Sequence, residues 1–505
     1  MLKTPLNQPE FIDFYLPFGG KLQASNRWVK LSEMIPWDVV EACYAESLAG
    51  TGQGSPAKSG RKAYGALLIK ERLWVSDEEV VEQVIENPYL QYFLGLHEYQ
   101  EKAPFDPSMM VHFRSRFSEV HHQKINDHII QQATLPQKDE DDDNQDPPLN
   151  SGKLLIDATC TPADIKYPTD LGLLNEAREK TEAIIDQLHA QNLLSKSDEA
   201  PKVKKVRTYR QKARQQYLAV AKQKKATYRT VQTAIRQQLG YVRRNLKHIA
   251  KMVDQNRSIL SCLDAYWYKS LLVIDTLYAQ QHEMFKERKH QVPNRIVSIS
   301  QPHVRPIVRG KAGKKVEFGA KISASFQQDG YITLDHLSWE AFNESGDLIS
   351  QVEAYHKRFG YYPQSVHADT IYQNRTNRNY CKEKGIRLTG RPLGRPKKVT
   401  EENRDELRAN KQQRRQDELD RILIEGKFGN AKRKGTLQRI MAKLSKTSES
   451  VIHVGIVMLN LEKWLKELLF CLIRSVKMSN DESLFVYRKV STRLTKLFFV
   501  SLVAN

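Results

Sequence analysis

Two aspartates stand where apolar runs stop. In "LLIDAT", residues 154–159, Leu154, Leu155 and Ile156 lead into Asp157, and in "SVHADT", residues 365–370, a short apolar segment leads to Asp369. An unpaired buried carboxylate is costly, so each of these residues needs a partner. A third acid lies in "DELDRILIEGKFGNAKR", where Arg421, Glu425 and Lys432 are spaced by four and by seven. On an ideal helix Glu425 falls about 40° and Lys432 about 20° from Arg421, so one face carries an acid and two cations. A carboxylate so flanked suits phosphate chemistry, holding a divalent metal while Arg and Lys grip phosphate oxygens. Three oxygen acids with no His or Cys among them favour Mg²⁺ or Mn²⁺. Two such ions roughly 4 Å apart activate a water or a 3′-hydroxyl and steady the leaving oxygen, which is phosphodiester cleavage and transfer. Glu418, seven residues before Glu425, is the rival third acid. Asp164, beyond Pro162, is the rival to Asp157, and is expected to be structural or near DNA.

The elements that must position these groups follow from periodicity. The segment ending on Asp157 reads as a buried strand that stops at that residue. Val316, Phe318, Ala320, Ile322, Ala324 and Phe326 alternate strictly, the mark of a half-buried strand. Asp329-Gly330 is a hairpin turn signal, and "YITLDHLSW" is the returning strand. A helix closed by Gly360 follows, then a strand over 364–369, a helix with Gly385 as its C-cap, and the short strand "IRLTG". The order is strand, long helical insertion, hairpin, helix, strand, helix, strand. Residues 390–416 read as a basic connector. Gly426 and Gly429 each weaken the helix bearing Glu425 by roughly 1 kcal/mol, so a break near Phe428, leaving Lys432 in a loop, is expected.

Composition names the class of partner. The 505 residues carry a net charge of +20, and such an excess marks a polyanion. From 202 to 251 there are sixteen Lys or Arg residues and no acid, interleaved with Tyr209, Tyr217 and Tyr228, which reads as a helical arm lying on phosphates. Residues 1–135 read as helical. Ser76 and Glu79 form a capping-box signature ahead of Val80, Val81, Val84 and Ile85, and Asn87-Pro88 ends that helix. The preceding basic helix, "SGRKAYGALLIKERLWV", completes a helix-turn-helix-like pair. The acidic run 137–148 reads as a linker. Five scattered cysteines give neither a disulfide framework nor a zinc site. His121, His122 and His128 read as a polar helix face. No signal peptide is expected, and the apolar stretches 452–474 and 497–503 are too charged or too short to span a bilayer. An intracellular protein facing nucleic acid is the expectation.

On these motifs the chain resembles the bacterial insertion-sequence DDE transposases, in particular insertion sequence family five, within the group carrying a Y-x2-R-x3-E-x6-K signature. The resemblance rests on "SGRKAYGALLIKERLWVSDEEVVEQVIENP", "LLIDAT", "QPHVRPIVRGKAGKKVEFGAK", "VHADTIY", "GRPLGRP" and "RILIEGKFGNAKR". Arg421, Glu425 and Lys432 match the signature spacing, while Glu418 stands where its Tyr should be. The resemblance implies a mixed α/β fold, with a ribonuclease H-like core holding a long helical insertion and preceded by an all-α N-terminal DNA-binding domain. The expected domains are 1–135 for DNA binding, 136–150 as linker, 151–174 with 292–478 as catalytic core, 175–291 as insertion and 479–505 as tail. It further implies that Asp157, Asp369 and Glu425 coordinate two Mg²⁺ (or Mn²⁺) ions. DNA contacts are expected at Arg421, Lys432, Arg305, Arg309, Arg391, Arg395, Arg61 and Lys62. The implied partner is double-stranded DNA, both the element's inverted repeats and the target, bound by a homodimer in the bacterial nucleoid. Hydrolysis would free 3′-hydroxyl ends that attack the target in line. The alternative is a transposase-derived DNA-binding protein that has lost catalysis.

Overall fold

The structure is a computed structural model and describes residues 14–16, 20–48, 56–134, 150–194, 206–308, 316–327, 329–390, 394, 400–401 and 403–478. Seven helices come first: α1 (Arg27–Met34), α2 (Trp37–Glu46), α3 (Gly60–Leu73), α4 (Asp77–Glu86), α5 (Pro88–Phe93), α6 (Met109–Arg116) and α7 (Glu119–Thr134). Ser76 caps α4 as its sequence predicts, its hydroxyl accepting from the Glu79 N–H, and Asn87 ends α4 while capping α5. The aromatic core of Trp28, Tyr44, Tyr64, Phe93 and Phe113 is closed by a helix from the other end of the sequence, α15 (Ser445–Met478), through Val454, Val457, Met458, Leu461 and Leu465. That closure corrects the histidine expectation. His122 is buried, not on a polar face: its ring stacks on His453 and bonds to Tyr64 and Ser450. Proximity to a helix more than 300 residues away overrides the local pattern.

Six strands form one mixed sheet: β1 (Lys153–Pro162), β2 (Arg305–Val308), β3 (Val316–Gln327), β4 (Ile332–Ser338), β5 (Ser365–His367) and β6 (Arg387–Leu388), in the order β2-β3-β1-β5-β6 with β4 also paired to β3. The first strand is thus central. It is antiparallel to β3 and parallel to β5, which is parallel to β6. β1 does not stop at Asp157 but runs on to Pro162, because β3 pairs with it from Leu154 to Pro162. The alternation in β3 is real, yet both faces are covered. Ala320, Ile322, Ala324 and Phe326 join one apolar core, while Ser323, on the other face, accepts from the buried Gln351 amide of α12 (Leu348–Phe359). Gly330 turns the hairpin at φ 85° and Gly360 closes α12 at φ 81°, both in the left-handed region that glycine adopts without cost.

Between β1 and β2 lie α8 (Asp170–Leu194), α9 (Arg210–Ala221), α10 (Tyr228–Gln255) and α11 (Ala265–Glu287). α10 turns Ile235, Leu239 and Val242 inward against Leu174 and Ile274 and leaves its cations outside. After α13 (Arg375–Glu383), α14 spans Arg404–Lys434. Much of the expected connector is therefore helix, and α14 passes through Gly426 and Gly429 without breaking. Ile424, Phe428 and Ala431 are buried in the core formed with β3, β4 and α15. Burying two large side chains is worth a few kcal/mol, more than the two glycines cost. The acidic run 137–148 and the tail 479–505 lie outside the described residues.

Candidate active site

The site begins with register. Leu155 pairs with His367 across the parallel β1/β5 edge, and Asp157 and Asp369 each stand two residues beyond that last registered pair. β5 has ended by then, and Asp369 caps the short 3-10 turn Thr370–Tyr372, accepting from the Thr370 N–H at 2.7 Å. Asp157 accepts from the Ala158 N–H at 2.8 Å. α14 brings in the third acid. Arg421 lies 3.6 Å from the Asp369 carboxylate and 3.9 Å from that of Glu425, one guanidinium between two acids. Lys432, on the same unbroken helix, donates to the Thr159 hydroxyl at 2.8 Å. Thr159 is two residues from Asp157, on the same face of β1.

The three acids differ in burial. The Asp369 and Glu425 side chains are 52% and 61% exposed, so both carboxylates are open to solvent. Asp157 is sunk into the sheet. Burial raises its pKa to about 6; the Ala158 N–H and Arg421 oppose the rise, and Glu344 and Glu425 add to it. Its folded pKa lies above the ordinary carboxylate value, so it costs nothing below the unfolded value near 4, costs progressively more as pH rises from there, and costs its full amount above about 6. Asp157→Asn is therefore expected to stabilise the cation-free protein by about 3 kcal/mol at pH 8 and to be nearly neutral at pH 4. Urea unfolding at both pH values checks this, and equal stability at pH 8 would contradict it.

Neighbours that carry no motif hold α14 over the sheet. Arg387 on β6 grips Asp417 through two bonds of 2.8 and 2.9 Å, and Lys153 on β1 bonds Asp420 at 2.7 Å. The buried His367 ring stands 3.8 Å from Asp417. Glu344, paired with Lys321 at 2.8 Å, lies within electrostatic reach of Asp157. Their partners are distant in sequence, so no local pattern could reveal them. Glu418 is exposed and has no ion-pair or hydrogen-bond partner among the described residues.

The remaining expected DNA contacts divide. Arg61 is a correction: it is buried, its guanidinium bonded to the Phe93 and Tyr92 carbonyls and the Ser32 hydroxyl and set against the Trp37 ring. It ties α1 and α3 to α5 and cannot reach a phosphate. Lys62 beside it is half-buried. Arg305 is half-buried too and spends its guanidinium on the Pro302 and Val304 carbonyls. Arg309, Arg391 and Arg395 lie outside the described residues. Asp164 pairs with Arg439.

The donor set fits a hard divalent cation in kind: three carboxylates, one with a raised proton affinity and two already sharing a cationic side chain. Among the described residues no three acidic, His or Cys side chains are gathered tightly enough to hold an ion. Arg421 stands in the gap.

A mixed sheet with an aspartate just beyond the registered ends of two adjacent strands, and a glutamate and cations delivered by a later helix, suits phosphate chemistry. A transposase DDE domain matches residues 366–462, and a second transposase domain, DUF772, matches residues 17–116. The protein is a transposase with a DDE domain, a class whose core is ribonuclease H-like and whose members use divalent metals and act on DNA. An uncharacterised protein of Rhizobium meliloti, ORF8 of the nfe locus, is 31% identical over 151 residues, which cover 30% of this chain and 68% of that protein. The chain belongs to the same family as that protein. No solved structure matches it. No helix among the described residues is long and apolar enough to cross a membrane.

Proposed function

We propose that the chain is an active DDE transposase of the insertion sequence family five type. It binds the ends of its element as a homodimer in the bacterial nucleoid, cleaves there and joins the freed 3′-hydroxyls to target DNA. The observation that carries the reading is the Arg421 guanidinium, paired with both Asp369 and Glu425 and acting electrostatically on Asp157 near the ends of β1 and β5. The sheet order, with β1 between an antiparallel partner and a parallel pair, supports the ribonuclease H-like core.

Two Mg²⁺ ions held by Asp157, Asp369 and Glu425 would supply charge stabilisation at the attacking and leaving oxygens. Arg421 and Lys432 grip the phosphate, Lys432 from its seat on Thr159. In cleavage a water oxygen bonds to phosphorus as the 3′-oxygen departs with the electron pair and picks up a proton. In transfer that 3′-hydroxyl attacks a target phosphodiester, loses its proton to solvent, and another 3′-oxygen leaves. One bond forms and one breaks each time, with no covalent protein–DNA link.

The test is incubation of the full chain with a plasmid carrying the DNA that brackets its gene. Mg²⁺-dependent nicks ending in 3′-hydroxyl at the inverted repeats are expected. Binding without nicking in either Mg²⁺ or Mn²⁺ would leave the second reading, an inactive DNA-binding derivative.

The α9–α10 arm also belongs to this reading. Lys212, Arg214, Lys224, Lys225, Arg229 and Arg236 are all exposed. Replacing them with Gln is expected to flatten the slope of log affinity against log salt by about 0.9 for each phosphate no longer neutralised. Fluorescence anisotropy over a salt series measures it, and an unchanged slope returns the arm to a structural role.

A further inference from the structure

α14 is a helix in two halves. Its C-terminal half packs on the sheet. In its N-terminal half, residues 404–416, every residue is exposed except the half-buried Leu407. Thirteen residues without an apolar face to bury are marginal as a helix in water. The charges compound this. Around the helix axis, Arg408, Lys411 and Arg415 lie within about 40° of Arg404, one stripe of four cations. Asp405, Glu406, Asp417 and Asp420 lie about 100° or more away. The latched and buried residues Asp417, Ile424 and Ala431 lie about 140–180° away, on the side facing the protein. None of the four cations has a hydrogen-bond or ion-pair partner among the described residues. Like charges three and four apart on a helix repel, so the stripe opposes its own helix until something anionic covers it.

The same stripe leads somewhere. Continued along the helix it passes Glu418 and the exposed Ile422 to Glu425, which sits on its flank. One continuous helix therefore joins four cations, without a partner among the described residues, to the acid that shares Arg421 with Asp369. We propose that the projecting half of α14 is a phosphate rail for duplex DNA, seated on the element-end duplex whose phosphodiester lies at the three carboxylates. The inference rests on the transposase reading above and adds to it a DNA-binding element that no signature residue supplies. At about 1.5 Å per residue the rail runs from about 15 to about 32 Å from Glu425 along the helix. At about 3.4 Å per base pair this places its phosphates roughly four to nine base pairs from the scissile one.

The experiment compares the full-length protein with R404Q/R408Q/K411Q/R415Q on a labelled duplex of the element end, by anisotropy over a salt series and by hydroxyl-radical footprinting. Gln keeps the helix propensity, and far-UV circular dichroism checks it. The variant is expected to lower the slope of log affinity against log salt by about 3 to 4 and to lose protection four to nine base pairs from the nick, with protection elsewhere intact. R404K/R408K/R415K, which keeps the charge, is expected to keep both. A four-Gln variant with unchanged slope and footprint overturns the rail. So does an unchanged slope accompanied by altered sedimentation, which would assign the face to a second copy of the chain. Nicking by the parent protein in the same reactions reports separately on the transposase reading: failure there defeats that reading, whereas a nicking parent with an unaltered variant defeats the rail alone.

Discussion

Glu425→Ala is expected to abolish Mg²⁺-dependent nicking of end DNA, by about three orders of magnitude or more, with DNA affinity retained. The size follows from the task proposed for the residue. Charge stabilisation at the reacting phosphate is worth several kcal/mol, and each 1.4 kcal/mol is tenfold in rate. Affinity should survive because binding is carried by many phosphate contacts, none of them made by an acid. Asp157→Ala and Asp369→Ala are expected to behave alike, since the three carboxylates act as one unit. Glu418→Ala is the discriminating control. Glu418 lies on a neighbouring part of the same helix, yet Arg421 reaches Glu425 and Asp369, and Asp157 senses Glu425. Glu418→Ala should therefore cleave normally. Cleavage by Glu425→Ala with its loss in Glu418→Ala, measured as single-turnover nicking rates, would exchange the two assignments.

The second large effect is expected from a residue outside the site. Arg387→Ala removes the partner of Asp417, whose side chain is only 6% exposed. Breaking a buried pair by deleting one member costs about 3 kcal/mol, at the lower end of the range because Arg387 itself is half-exposed. Burial pushes the Asp417 carboxyl up, but bonds from Arg387 and Gln413 bring it below the ordinary value. The latch therefore contributes above about pH 4 and is lost as pH falls through the depressed pKa. Asp417 is eight residues, about two turns, before Glu425 on the same helix. A tilt that moves a reacting group by about 1 Å costs roughly 100-fold. Nicking by Arg387→Ala should thus fall about 100-fold in kcat, with the affinity for DNA unchanged. The swapped pair R387D/D417R should recover most of it, an outcome that a general loss of stability would not give. Equal loss in the single and swapped variants would remove the latch from the account of catalysis.

The site's ingredients could be read from the sequence because each is announced locally. Asp157 and Asp369 follow apolar runs, and Arg421, Glu425 and Lys432 share a helical spacing. The hairpin at Asp329-Gly330 and the helix stops at Gly360 and Gly385 could be read for the same reason: turn geometry is decided by the residues in the turn. The misreadings fall where a distant partner overrides a local rule. β1 continues past Asp157 because β3 pairs with it. α14 survives its glycines because Ile424 and Phe428 find a core. Arg61, basic and early in a helix, looks like a DNA contact until α5 closes over it.

Sequence by itself determined the inventory: the acids, the cations near them, the excess positive charge, and most of the helices and strands, all set by residue chemistry and short-range periodicity. Only the tertiary structure decided the arrangement. It set β1 against β5 in a parallel register, laid Arg421 between Asp369 and Glu425, and seated Lys432 on Thr159. It pinned α14 with Arg387 and Lys153 and left its other half projecting with four cations that have no partner among the described residues. The reason is physical. A carboxylate's proton affinity and a cation's partner depend on distances of a few ångströms between residues hundreds apart in the chain, and only the fold sets those distances.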